Sequence, residues 1–250
     1  MDMKKKKKFL ISPFIGLFLF LLLMQSCKKD EEVNQTNGKT TALFNPNITY
    51  GSLTDQNGNI YKTVTIGTQT WMAENLRTTK YRNGDNIPEV TDSIAWVNLG
   101  TGAYCNYQNT NSLETIATYG RLYNWYTLND SRNIAPSGWH VPSYNEWLIL
   151  SAYLVDSLAG IKLKESGSTH WKYFSLFQGT NETGFTALPG GYRWGHSCHH
   201  MGIEGGWWTT TVDSTDLIDA YHVTLGYTYP SYGGCNCPKR DGYSVRCVKD

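Results

Sequence analysis

Residues 138–147 read GWHVPSYNEW, a short extended run that turns into the clearest helix pattern of the chain. Ser143 follows Pro142, and Glu146 comes three residues after Ser143. The Ser143 hydroxyl can therefore accept from the Glu146 amide while the Glu146 carboxylate reaches back to the Ser143 amide, which is a capping box. Apolar residues then recur at a spacing of three and four to about Val155. The stretch predicts a capped helix whose apolar face docks on a core.

Composition favours short strands and ordered loops over a helical bundle. The 250 residues include nine Trp, 17 Tyr and 24 Gly, and only 17 % are charged. Aromatic residues suit strands, and glycine suits the turns between them. The formal net charge is +1, but residues 4–8 are all Lys and precede Cys27, so the chain from Cys27 onward is slightly acidic. This balance gives no indication of a nucleic-acid partner.

The N-terminus has the layout of a secretory signal, with basic residues 4–8, an apolar run over residues 9–24 and then Cys27. A membrane-spanning helix is the alternative, but the apolar run is short for one. Residues 24–27 resemble a bacterial lipobox, although Met stands where Leu is usual. The resemblance implies that residues 1–26 are a lipoprotein signal peptide and that acyl chains on Cys27 hold the protein on a membrane.

The segment at residues 27–48 is polar and has few large apolar groups, so we expect a lipidated cysteine followed by a flexible tether. Residues 28–32 read KKDEE. This run resembles the export tag that sends some Gram-negative lipoproteins to the outer face of the outer membrane, and a solvated linker is the alternative. The expected location is the outer membrane, lipid-anchored and facing the cell exterior.

Residues 49–250 predict one mixed α+β domain. Asn57 and Gly58 are a type I′ hairpin signal, and residues 60–66 alternate as a strand after it. Residues 119–128 place apolar side chains on one side and predict a first helix before the capped one. Strands at both ends of the domain are expected to pair. Arg246, in the closing strand, is expected to be a structural ion-pair partner.

A series of motifs runs through this domain, at residues 57–61, 66–76, 120–126, 138–142, 146–147, 163–165, 181–189 and 244–247. They resemble, in the same order, the motifs of the Fibrobacter succinogenes major paralogous domain, a family of bacterial surface lipoproteins with no generally established activity. The Pro-x-x-x-Glu-Trp helix and the closing Arg-Cys strand also look like those of sulfatase-modifying-factor domains. That similarity implies a C-type-lectin-like fold with two helices, short antiparallel strands and long ordered loops, and fold alone implies no function.

Two short segments concentrate thiol and imidazole groups, which zinc and copper prefer as ligands. The candidate metal ligands are Cys198, His199, His200, Cys235 and Cys237. Their spacing matches no known zinc motif. Sulfatase-modifying oxidases use a cysteine pair near the closing strands, so a metal-dependent enzyme is an alternative function for this chain.

Disulfides are the other interpretation of these cysteines, because exported cysteines usually oxidise. Cys198 is expected to pair with Cys235 or Cys237, and Cys105 with Cys247. Apart from Cys27 the chain has five cysteines, so at least one stays unpaired if all bridges are internal.

Aromatic residues crowd the region where lectin-like folds bind ligands. The candidate binding residues are Tyr192, Trp194, Trp207, Trp208 and Tyr229. Flat rings stack on the apolar faces of sugars, although in a loop-rich domain many rings instead pin loops to the core. We found no catalytic motif and no lectin calcium motif, so neither catalytic residues nor calcium are predicted. The leading hypothesis is a non-catalytic binding or adhesion module for a glycan, another surface polymer or a surface protein, and a structural envelope subunit is a third alternative.

Overall fold

The computed structural model describes residues 38–250. The predicted signal peptide and the lipidation site Cys27 lie outside the described residues. Within the described range, no helix is both long and apolar enough to cross a membrane. Residues 38–48, predicted as the end of the tether, are attached to the domain. The Thr41 amide donates to Thr118 Oγ1 at 2.9 Å, and the Leu43 amide donates to Glu165 Oε1 at 2.6 Å.

The described chain is mostly sheet, with a few short helices. The strands are β1 (Gly51–Thr54), β2 (Ile60–Ile66), β3 (Gln69–Met72), β4 (Tyr104–Cys105), β5 (Leu122–Tyr123), β6 (Trp139–His140), β7 (Tyr192–Trp194), β8 (Ser197–His199), β9 (Glu204–Val212), β10 (Asp219–Gly226), β11 (Gly233–Pro238) and β12 (Val248–Lys249). The α-helices are α1 (Ser93–Val97), α2 (Leu113–Tyr119), α3 (Trp125–Leu128), α4 (Tyr144–Tyr153) and α5 (Ala159–Leu163). The mixed α+β class is confirmed, with five short helices among the described residues where two were expected.

The strands form antiparallel sheets. The largest has the order β1-β2-β3-β12-β6, so the closing strand returns to the N-terminal sheet as predicted. A three-stranded sheet has the order β11-β10-β9, and two hairpin-like pairs, β4-β5 and β7-β8, complete the set. The β1-β2 hairpin is also confirmed, but its turn is longer than the predicted two residues. Its last pair is Thr54 with Ile60, and Asp55 Oδ1 accepts from the amides of Asn57 and Asn59 to organise the wider loop.

Helix α4 begins at the predicted capping box. The Ser143 amide donates to Glu146 Oε2 at 2.7 Å, and Ser143 Oγ accepts from the Glu146 amide at 3.3 Å. Trp147, on the buried face, packs its ring 4.8 Å from that of Trp71. The first predicted helix, residues 119–128, is confirmed only at its end, where Trp125–Leu128 form α3, and is wrong before it. Helix α2 ends at Tyr119 and is capped by Gly120, whose φ is +76°, and Leu122 and Tyr123 then pair with β4 as strand β5.

Arg246 is buried, but its partners are not those expected. The guanidinium donates to the carbonyls of Met72, Phe185 and Thr186 and to Asn75 Oδ1. These acceptors are neutral, so the expected ion pair is replaced by hydrogen bonds from a cation to backbone and amide oxygens. The donors tie the closing segment to two distant loops and satisfy groups that would otherwise be buried without partners.

Candidate functional site

An open cleft of about 540 Å³ lies against one face of β10 and β11. We call it the binding cleft, and its lining residues are Tyr192, Trp194, Glu204, His222, Thr224, Gly233, Gly234, Cys235, Asn236, Cys237, Pro238, Asp241 and Tyr243. Four segments thus meet there: the β7-β8 hairpin, the start of β9, the β10-β11 pair and the loop that precedes the closing strand. Its volume lies within the range usual for small-molecule sites.

The β7-β8 hairpin places a tryptophan on the rim of the binding cleft. Trp194 pairs with Ser197, and Gly195 between them has a φ of +56°, which favours glycine. The turn leaves the Trp194 side chain 61 % exposed, whereas the other eight of the nine tryptophans are at most 7 % exposed. Trp194 is therefore the one large ring of its type that a ligand can reach.

Three rings stack along the wall of the cleft. Tyr192 and Tyr243 have ring centroids 5.2 Å apart with an interplanar angle of 22°. Tyr243 stacks in turn on His222, with centroids 4.3 Å apart and an angle of 28°. Burial raises the pKa of both tyrosines, so both hydroxyls stay protonated. The stack gives the cleft a flat, rigid aromatic side.

A buried carboxyl group lies in the cleft with one oxygen free. Asp241 is 2 % exposed and lines the cleft. Among the described residues, Asp241 Oδ2 has no hydrogen-bond partner. Burial raises the pKa of this carboxyl to about 7, so it is partly protonated near neutral pH. The lining of the cleft thus includes a carboxyl group that titrates near neutral pH.

His222 lies opposite Cys235 in the β10-β11 register, and Cys237 follows on the same face. The His222 Nδ1 to Cys237 Sγ distance is 3.3 Å, and the Nε2 to Cys235 Sγ distance is 3.6 Å. Burial lowers the pKa of His222 to about 4 and raises the pKa of both thiols. At neutral pH the imidazole is neutral and the thiols are protonated, which is not the charge state of an activated cysteine nucleophile.

The predicted metal ligands are divided among several places. His199 Nε2 contacts Ser197 Oγ at 2.9 Å, and His200 Nδ1 contacts Glu204 Oε2 at 2.8 Å. Cys198 lines a second cleft, and none of the other predicted ligands lines it. Over residues 38–250, no group of three or more His, Cys, Asp or Glu side chains is placed to hold a metal ion.

The predicted disulfide pairings do not match the neighbours that the structure provides. The five cysteines of the described range are free thiols. Cys105 and Cys247 belong to different core clusters. Cys198 lies beside Cys105, while Cys235 and Cys237 line the binding cleft. Strand pairing, which a sequence does not reveal, decides which thiols are neighbours.

The structure corrects two of the five predicted binding residues. Trp207 and Trp208 are both 0 % exposed, and their indole nitrogens donate to Asn75 Oδ1 and to the Tyr123 carbonyl. They are core residues, because both faces of β9 are covered. Tyr229 is 58 % exposed but does not line the binding cleft. Tyr192 and Trp194 do line it.

Sequence reasoning missed three cleft residues, His222, Asp241 and Tyr243. The alternation along β10 marked a strand, but nothing in it showed that His222 faces an opening. Asp241 precedes the closing strand as an ordinary polar loop residue. A buried carboxyl with a free oxygen is visible only after the chain has folded around it.

The family model described as the Fibrobacter succinogenes major domain matches residues 64–249. This range runs from within β2 to the end of β12 and includes every residue of the binding cleft. No curated protein and no solved structure matches the chain.

Proposed function

The chain belongs to the Fibrobacter succinogenes major domain family, and we propose that this member is a non-catalytic binding or adhesion module for a glycan or another surface polymer. The observation that carries the proposal is Trp194, the one exposed tryptophan of nine, at the rim of the binding cleft. An exposed indole beside a cleft with an aromatic wall supports a site for a flat apolar partner.

The rest of the cleft supplies what a sugar ring would need. Pyranose rings have apolar faces that stack on aromatic rings, and their hydroxyls need hydrogen-bond partners at the edge. The Tyr192-Tyr243-His222 stack offers the apolar surface, and the carboxyl groups of Glu204 and Asp241 in the lining offer the polar partners. The cleft is open to solvent, which suits a polymer larger than the site.

Attachment to the cell surface is part of the same proposal. The signal, the lipobox-like residues 24–27 and the run at residues 28–32 support a lipid anchor at Cys27 and display from the outer membrane. A module held there by acyl chains would meet polymers outside the cell. We also propose a C-type-lectin-like arrangement, which the return of β12 to the N-terminal sheet and the long loops between the sheets support.

A metal-dependent enzyme is the second candidate, and the contact of His222 with Cys235 and Cys237 favours it. Elemental analysis of the full-length protein distinguishes the two. The binding module predicts glycan binding that survives a chelator, while the enzyme predicts a stoichiometric metal that is lost from Cys235→Ser. A structural envelope subunit predicts neither.

The test is a glycan array probed with the full-length protein in detergent, with and without EDTA. Saturable binding to a defined set of polysaccharides in both conditions supports the proposal. Binding to no neutral, acidic or amino glycan contradicts it and turns attention to a protein partner. Binding that EDTA abolishes contradicts the cleft as described and favours a bound cation.

A further inference from the structure

Two cysteines that are 93 positions apart in the sequence lie side by side outside the binding cleft. Cys105 ends β4 and is 0 % exposed, while Cys198 in β8 is partly buried and packs against the core cluster that contains Cys105. The side chains of Cys105 and Cys198 interact, since each thiol shifts the pKa of the other. The two side chains are thus neighbours in the folded chain.

The surroundings shift the pKa values of the two thiols in opposite directions. Cys198 Sγ also accepts from the Gln108 amide at 3.3 Å, and the buried guanidinium of Arg193, its cross-strand partner, lies nearby. The hydrogen bond from Cys105, the Gln108 amide and the positive charge of Arg193 lower the pKa of Cys198 to about 7. The same contact with Cys198, followed by burial, raises the pKa of Cys105. Cys198 is therefore the nucleophile of the pair and Cys105 the thiol that follows.

An oxidant can reach Cys198 but not Cys105. Cys198 lines a second open cleft of about 400 Å³, which we call the thiol cleft, together with Asp92, Gln108, Arg193 and other residues. Cys105 does not line it. In such an arrangement the accessible thiol attacks an external disulfide first and forms a mixed disulfide. The buried thiol then attacks that mixed disulfide.

We propose that Cys105 and Cys198 are an oxidisable thiol pair, which closes to an intramolecular disulfide by exchange with an external organic disulfide. The proposal does not depend on the binding function. It assigns a modification site to the β7-β8 hairpin and replaces the pairings that sequence alone favoured.

The exchange balances in two steps. The Cys198 thiolate attacks one sulfur of the external disulfide, forms a mixed disulfide and releases one thiolate. Cys105 then loses its proton to solvent and attacks the Cys198 sulfur, which forms the Cys105–Cys198 bond and releases the second thiolate. Two protein thiols are oxidised, and one external disulfide is reduced to two thiols.

The bond would fasten the β7-β8 hairpin to the body of the domain. That hairpin has only two strands and carries Tyr192 and Trp194 at the rim of the binding cleft. Cross-linking Cys198 to β4 removes conformations in which the hairpin leaves the domain. The oxidised form therefore holds the rim in place.

The test exposes the full-length protein to oxidised glutathione, alkylates the remaining thiols and maps the digest by mass spectrometry without reduction. The expected result is a peptide pair joined through Cys105 and Cys198, with Cys235, Cys237 and Cys247 alkylated. Alkylation of both Cys105 and Cys198, or a link from Cys198 to Cys235 or Cys237, would overturn the proposal.

Three variants sharpen the result. Cys198→Ser should abolish the cross-link, and Cys235→Ser, which removes an exposed thiol from the binding cleft, should leave it unchanged. Cys105→Ser should instead accumulate glutathione on Cys198, because the resolving thiol is missing. If the buried Cys105→Ser variant does not fold, the map of the wild type still decides the question.

Discussion

Trp207 and Trp194 lie 13 positions apart in the sequence, yet the first is fully buried and the second is 61 % exposed. Trp207 packs with Trp147 and Phe185 in one core cluster, and its neighbour Trp208 points into another. Successive side chains of a strand face opposite sides, so β9 is covered on both. The β7-β8 hairpin that carries Trp194 has a core on one side only.

The comparison shows that the packing on the two faces of a strand, and not the residue type, decides whether an aromatic ring is buried or accessible. Each buried indole of β9 has a hydrogen-bond acceptor inside the domain. At the binding cleft, by contrast, Asp241 Oδ2 has no acceptor or donor among the described residues. Within residues 38–250, buried atoms without a partner also occur in the core, at Trp96 Nε1 and Trp147 Nε1, so the exposure of the ring, and not a free polar atom, distinguishes Trp194 from the core tryptophans.

The largest expected effect is a loss of stability when the buried ring of this comparison is removed. Trp207→Ala should lower the free energy of unfolding by about 3–5 kcal/mol, because it leaves a cavity among packed rings and removes one of the two donors to Asn75 Oδ1. Trp194→Ala is the matched control and should change stability by less than about 1 kcal/mol. Urea denaturation of both variants measures the difference, and equal losses would mean that the two rings are not distinguished by burial.

The second prediction concerns pH. The pKa of Asp241 is about 7 in the folded state against an ordinary value of 3.8, so the folded state binds more protons between about pH 4 and 7. The free energy of unfolding should therefore fall as pH rises through that window, by up to about 4 kcal/mol from this group.

His222 has the opposite effect on the free energy of unfolding. Its pKa falls from 6.5 to about 4, which makes the folded state bind fewer protons between those values and stabilises it as pH rises.

Asp241→Asn isolates the carboxyl contribution. The stability of the wild type relative to this variant should be highest near pH 4 and should decline toward pH 7. Denaturation at several pH values measures the difference, in which the His222 contribution cancels. A difference that does not change with pH would contradict the burial of a free carboxyl in the cleft.

The third prediction compares the hairpin with the rest of the domain. The Cys105–Cys198 bond would join residues 93 positions apart in the sequence. The free energy of unfolding of the oxidised protein should therefore exceed that of the reduced protein by about 2–4 kcal/mol. Cys198→Ser should show no difference between the two conditions, and Cys235→Ser should behave as the wild type. A redox effect that persists in Cys198→Ser would place the responsible bond elsewhere.

Local signals predicted local structure well. The Ser143–Glu146 box needs only four residues and the known geometry of a helix start, and it forms as expected. Residues 119–128 were misread because apolar spacing alone does not separate a helix from a short buried strand. Gly120 and the capping Asn124, whose side chain accepts from the Thr127 amide, divide that stretch.

The candidate site was predicted only in part, because it depends on contacts between distant segments. Aromatic composition pointed to residues 192–232, and Trp194 and Tyr192 are in the cleft. The register that sets His222 against Cys235, and the packing that buries Asp241, come from pairing of strands far apart in sequence. The same limit explains why the neighbour of Cys105 was not foreseen.

The central claim is that Trp194, and not the aromatic surface in general, binds the ligand. The most direct measurement is affinity electrophoresis of wild type, Trp194→Ala and Tyr229→Ala through gels that contain neutral, acidic or amino polysaccharides. Tyr229 is the matched control, an exposed ring of the same region outside the cleft. We predict that Trp194→Ala weakens retention roughly tenfold or more while Tyr229→Ala stays within about twofold of wild type. Retention of Trp194→Ala equal to that of wild type, or an equal loss in both variants, would contradict the account.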